Sequence, residues 1–179
     1  TEADRLAVIS AVSTAMQSRL PVQRRLQQAL RQLLAGTNLD FGVVYLRDEV
    51  RAGPSIAARA GITRRLATRL APHPAHQAGA AQPRVEEDLR PAPGRRSPRC
   101  LIRLPLRSPA RTLGLLAVGS YRRRHFAPGA LDLMAGVATQ IALSLDNALL
   151  HQQADQDAGR LAQAKEALEE ALQSRDQFL

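Results

Sequence analysis

The chain has 179 residues, with 25 Lys or Arg against 16 Asp or Glu for a net charge of +9, and 45% of its residues are apolar. This length favours one globular domain with an extension, and the apolar share excludes a wholly disordered chain. The single cysteine, Cys100, excludes an intramolecular disulfide and a multi-cysteine metal site, and no uninterrupted apolar run approaches the roughly 20 residues that cross a bilayer.

Residues 3–20 read as a helix whose Leu6, Ile9, Ser13, Met16 and Leu20 alternate spacings of three and four, a coiled-coil-like seam. Pro21 resets the chain before a second helix, with Leu26, Ala29, Leu30, Leu33 and Leu34 facing inward and Gly36 as its expected stop. From Phe41 the period changes, and Phe41 to Leu46 reads as a central strand buried on both faces. Ser55 to Ala60 makes a second strand ended by Gly61, and Ile62 to Leu70 a short helix. Residues 71–99 are rich in proline and lack strong periodicity, the mark of a lid or functional loop.

In Leu101 to Arg107, Ile102, Leu104 and Leu106 share one face against Leu101, Arg103 and Arg107. Thr112 to Tyr121 returns after a short turn, so the two strands are antiparallel neighbours. Pro105 cannot donate to the ladder and belongs at an edge or bulge. Pro128 opens a helix whose Leu131, Met134, Val137, Ala138, Ile141, Leu145, Ala148 and Leu149 form one apolar stripe, with Leu133, Leu143 and Leu150 as a partial second. Nothing in the composition stops this helix before Leu179, a reach of about 75 Å at 1.5 Å per residue. Beyond Leu150 the apolar content narrows to a heptad seam through Ala154, Ala158, Leu161, Lys165, Leu168, Leu172, Arg175 and Leu179. A solitary helix with so narrow a seam needs a partner. A parallel homodimer is therefore expected, its interface including Leu6, Ile9, Met16, Leu143, Leu150, Leu161, Lys165, Leu168, Leu172 and Leu179.

This order of helices and hairpins resembles the GAF domain family of small-molecule sensors over about residues 20–150. Leu20 to Leu46 is similar to the family's first helix and strand, and Ser55 to Gly61 to a strand ending Ala-x-x-Gly. Pro83 to Leu89 resembles an x-Val-x-x-Asp-Leu segment, with Asp88 and Leu89 in the last two places. Leu104-Pro105-Leu106-Arg107 followed by Leu113-Gly114-Leu115-Leu116 is the strongest part, and Phe126 with the helix ending Leu145-Asp146-Asn147-Ala148-Leu149-Leu150 completes it. The tail through Ser174-Arg175-Asp176-Gln177-Phe178-Leu179 resembles the helix leading into the phosphoacceptor domain of a sensor histidine kinase.

The resemblance implies an α+β fold, a GAF-like antiparallel sheet flanked by helices, with terminal helices forming a dimeric coiled coil or bundle. It divides the chain into a signalling helix (1–20), a sensor domain (21–150) and a coiled-coil signalling helix (151–179). It implies a regulatory module of a two-component kinase in the cytoplasm, with a downstream kinase domain in the same polypeptide; cyclase and transcription-factor outputs use the same layout. A ligand-free module serving only dimerisation and signal transmission is the competing reading.

The same resemblance argues against marked cofactors. Cys100 is followed by Leu101 rather than the His of bilin-attaching members, and the haem-ligand position falls on Arg95, which cannot hold iron. One cysteine cannot supply both thiols of the sulfoxide-reducing members. No cofactor, no metal and no catalysis by this segment are expected; His73 and His76, as His-x-x-His, lack nearby carboxylate or thiol ligands. Five scattered aromatics make no base-stacking platform, so no nucleic-acid partner is expected, and none at a membrane. What remains is a candidate pocket for a small molecule, lined by Phe41, Val43, Tyr45, Ile56, Ala58, Leu104, Leu116 and Val118, with Arg103, His73 and His76 as polar contacts. The alternative is that these side chains simply form core.

Overall fold

A computed structural model of the chain describes residues 2–47, 53–72, 82–87 and 97–178. Helices α1 (Glu2–Gln17) and α2 (Val22–Thr37) pack together. Pro21 precedes α2, where a missing N–H costs nothing, and its carbonyl accepts the Arg24 and Arg25 N–H groups at 2.9 and 3.0 Å. The Arg25 guanidinium donates to the Met16 carbonyl at 3.1 Å, placing a cation at the C-terminal end of α1.

The buried residues of α1 are Val8, Val12, Ala15 and Met16, and those of α2 are Leu26, Ala29, Leu30 and Leu33. This corrects the expected intermolecular seam at one point. Met16 is only 2% exposed within a single chain, whereas Leu6 is 62% exposed and Ile9 half-buried. Apolar side chains nearly encircle α1, and packing against α2 selects the Val8–Val12–Ala15 stripe rather than its neighbour. Helix α2 runs past Gly36 and ends at Asn38, whose φ of 55° supplies the left-handed cap.

Strands β1 (Phe41–Arg47), β2 (Pro54–Ala60), β3 (Arg84–Glu86), β4 (Cys100–Arg107) and β5 (Thr112–Ser120) form one sheet of order β2-β1-β5-β4-β3, antiparallel throughout. Strand β3, inside the stretch read as loop, is too short to show a period of two. It covers only Leu101–Arg103 of β4, so Pro105 lies where that side of β4 has no partner among the described residues, as a missing donor requires.

The register sorts side chains to two faces. Val44, Leu116, Val118, Ile102, Leu104 and Leu106 share the face toward α2, where absence of a side chain at Gly42 leaves room for Leu30 and Val118. Phe41, Val43, Tyr45, Leu101, Arg103, Leu115 and Ala117 share the other, covered by α3 (Arg64–Leu70). Thr63 caps α3, its hydroxyl accepting the Leu66 N–H at 3.3 Å.

Helix α4 (Pro128–Gln177) begins beside α1, with Arg5 against Gly129. By internal packing the chain divides into two units, Thr1–Leu145 and Asp146–Leu179. In the first unit α4 buries Met134, Val137, Ala138, Ile141, Ala142 and Leu145, most of the expected stripe. An 18-residue window of α4 has mean hydropathy 1.4, long and apolar enough by length and composition alone to cross a membrane, and 39% of that window is buried. In the second unit every described side chain from 151 to 176 is exposed.

Candidate functional site

The face of the sheet beneath α3 begins as alternating apolar residues of three strands. Phe41, Val43 and Tyr45 from β1, Leu101 from β4, and Leu115 and Ala117 from β5 pack with Ile62 and Ala67. Ile56, Leu66, Leu70, Ala71 and Tyr121 close around them. Tyr45 is 1% exposed, and its hydroxyl donates to the Ala67 carbonyl at 2.6 Å, pinning α3 to the sheet. Burial pushes the Tyr45 hydroxyl well above the ordinary phenol range, with the Arg103 charge pulling the other way, so it remains a donor at any physiological pH. The floor under α3 is thus packed core.

Arg103 stands on this same face. Its guanidinium is hydrogen-bonded and ion-paired to Glu86, holding β3 on β4, and its Nε finds no partner among the described residues. The pair is part-buried, where a charge-assisted bond is stronger than on an open surface. One residue further, Glu87 Oε2 lies 2.9 Å from His125 Nδ1, linking the end of β3 to the segment before α4.

At the end of the sheet where β1 starts and β5 stops, Asp40 ties the chain together. Its carboxylate accepts the Ser120 hydroxyl at 2.5 Å and the Tyr121 N–H at 2.9 Å. These bonds, above all that from Ser120, hold the carboxyl below the usual aspartate range, helped by the charges of Arg124 and Arg122. The Tyr121 hydroxyl donates to the Gly61 carbonyl at 2.9 Å, and its ring lies 5.1 Å from that of Phe41. Cys100, buried at the start of β4, has its thiol pushed up by desolvation.

Two clefts open beside α3. One, of about 450 Å³, is lined by Gly61, Ile62, Thr63, Arg65, Leu66, Arg69 and Tyr121. The other, of about 510 Å³, lies at the β2 edge among Gln27, Ser55, Ile56, Arg59, Arg64 and Thr68. Both fall within the roughly 300–1,000 Å³ of small-molecule sites. Among the described residues, no group of three His, Cys, Asp or Glu side chains converges as a metal site.

Of the expected pocket residues, Phe41, Val43, Tyr45, Ile56 and Arg103 are brought together on the α3 face. Leu104, Leu116 and Val118 are on the opposite face toward α2, a correction that strand alternation requires, since Arg103 and Leu104 are neighbours. A register shift between Val44 and Tyr45 pairs Ile56 with Tyr45 but Ala58 with Val44, so the two residues part to opposite faces, and both line the cleft at the β2 edge. His73, His76, Asp88, Leu89, Arg95 and Leu179 lie outside the described residues. The sequence reading missed Ile62, Arg65, Leu66, Arg69 and Tyr121. The signal was the spacing of 65, 66 and 69, which puts them on one side of α3, with Ile62 just before its cap.

Comparison with known proteins places this geometry. The family profile described as "GAF domain" matches residues 22–147. Among curated proteins, none matches the sequence. The fold is similar to the GAF domain of a protein described as a sensor histidine kinase from Pseudomonas syringae pv. tomato, at 21% identity over 85% of this chain and 93% of that one, with a TM-score of 0.68. It is similar to the GAF domain of a phosphoenolpyruvate-protein phosphotransferase from Coxiella burnetii, at 15% identity over 84% and 97%, TM-score 0.70. It is also similar to free methionine-R-sulfoxide reductase from Neisseria meningitidis, solved with its substrate, at 15% identity over 79% and 88%, TM-score 0.64. At these identities the likeness is one of fold.

Proposed function

The chain belongs to the GAF domain family, and from that premise we propose that it is the regulatory sensor module of a two-component sensor histidine kinase. The globular unit receives a small-molecule signal beside α3, and α4 carries it toward a kinase core in the same cytoplasmic polypeptide. On this reading the module itself does no chemistry: the Asp40 and Glu86 carboxylates are taken up in ties to Ser120 and Arg103.

The observation that carries this reading is the bare seam of α4. Leu161, Leu168 and Leu172 are 72%, 61% and 46% exposed in a single chain, in heptad register, and leucines so placed are covered by a second copy. Lys165 and Arg175 interrupt that seam; polar seam positions hold alternative registers close in energy, the property a signalling helix needs. Leu150 is a further exposed apolar residue of the second unit, and Leu6 and Leu143 are exposed apolar residues of the first.

Disulfide trapping tests the reading. With cysteine at Leu161 or Leu168 in a Cys100→Ser background, mild oxidation is expected to link two chains at each position. Chains that remain single at both positions would remove the paired seam.

A ligand-free dimerisation module is the second reading, favoured by the packed floor under α3. The two part on whether any small molecule raises the melting temperature, as a ligand specific for the folded state must.

A further inference from the structure

The cleft between α3 and Tyr121 has a charge pattern that its packing does not call for. Arg65 and Arg69 stand one helical turn apart on its wall. Like charges at this spacing disfavour a helix, and this one has only seven residues. Among the described residues, neither arginine has a hydrogen-bond or ion-pair partner and no carboxylate lines the cleft. The nearest acidic group, Asp40, is taken up by Ser120 and Tyr121. Arg122 and Arg124 add positive field around Asp40. The rest of the lining is Ile62, Leu66 and the Tyr121 ring, with Thr63 and Gly61.

We infer that this cleft binds a small organic anion with an apolar body, a carboxylate or phosphate ester on an aromatic or branched carbon skeleton, its charge held by Arg65 and Arg69. The inference rests on the sensor reading above and gives that site its ligand class. A guanidinium pair matches the two oxygens of a carboxylate or phosphate, while the apolar part of the lining takes the body. A bare inorganic anion would satisfy the arginines and leave the half-buried Leu66 and Tyr121 side chains uncovered. A neutral ring would cover those side chains and leave the guanidinium groups unanswered. The cleft's volume of about 450 Å³ suits a molecule of that size. The Tyr121–Gly61 bond and the Asp40 tie join this wall to the ends of β1, β2 and β5, so occupancy is felt by the sheet.

An NMR titration at constant ionic strength tests this with benzoate, phenyl phosphate, benzamide and inorganic phosphate. Benzoate or phenyl phosphate is expected to shift the amides of Gly61, Thr63, Leu66 and Tyr121 saturably, and whichever binds more tightly identifies the acid. Benzamide and inorganic phosphate are expected to bind at least about tenfold more weakly, since a charge-assisted bond is worth roughly 1.5–3 kcal/mol. Arg65→Gln with Arg69→Gln is expected to lose at least about tenfold in affinity for the preferred anion. Arg24→Gln with Arg31→Gln removes the same charge from exposed positions of α2 and is expected to leave binding within about twofold. Equal binding of benzamide, equal losses in the two double variants, or no saturable shift with either organic anion would overturn the proposal. Because the titration is read at the cleft, its failure is distinct from failure of the paired helix, which the cross-linking reads.

Discussion

Gly61→Ala is expected to lower stability by about 2–5 kcal/mol. Gly61 has φ +69°, in the left-handed region, where an alanine costs about 1–2 kcal/mol. The added Cβ would also meet the Asp40 carbonyl oxygen and the backbone at Phe41, neither of which can swing away as a side chain would. Displacing that backbone adds about 1–3 kcal/mol. The damage spreads, because Gly61 accepts the Tyr121 hydroxyl and Asp40 holds Ser120 and Tyr121. At roughly 4 °C per kcal/mol for a unit of this size, the melting temperature falls by about 8–20 °C. The same substitution at Gly136 in α4, where a Cβ meets nothing within 4 Å, is expected to stabilise by up to about 1 kcal/mol. Calorimetry showing equal effects at the two positions would contradict the account of Gly61.

Leu116→Ala carries an effect of similar size for a different reason. Leu116 is fully buried on the α2 face of β5, paired with Val44 on one side and Leu104 on the other. Truncation leaves a cavity in a close-packed layer and is expected to cost about 2–5 kcal/mol. The measurement also decides between the two faces of the sheet. If Leu116 lined the ligand cleft, truncation would be cheap and would alter ligand affinity. On the structure's placement it is costly, and the anion affinity of the remaining folded protein is unchanged. A melting temperature within about 2 °C of the parent would contradict the placement.

The sheet and helices follow from local pattern where the pattern is long. Phe41 to Leu46, the alternation of Ile102, Leu104 and Leu106, and the stripe from Met134 to Leu145 each bury what their period implies. Arg84–Glu86 escaped because three residues hold no period and neighbouring prolines speak of loop. The face of Ala58 escaped because the register shift that sets it sits beside small side chains, Ala57 and Ala58, that mark no bulge. In α1 the choice between Leu6–Ile9–Ser13 and Val8–Val12–Ala15 is made by the packing of α2, which is tertiary information. The cleft at Tyr121 depends on bringing α3 to the end of β5, some fifty residues later in the chain. No local pattern in either segment carries that proximity.

The account stands on two copies pairing through the seam of α4. Sedimentation equilibrium at micromolar concentration tests it directly. The predicted mass is twice the chain's 19.4 kDa, reverting to the single-chain value when Leu161 and Leu168 are both replaced by aspartate. A mass of one chain for the unaltered protein, or a dimer untouched by the two aspartates, would contradict it.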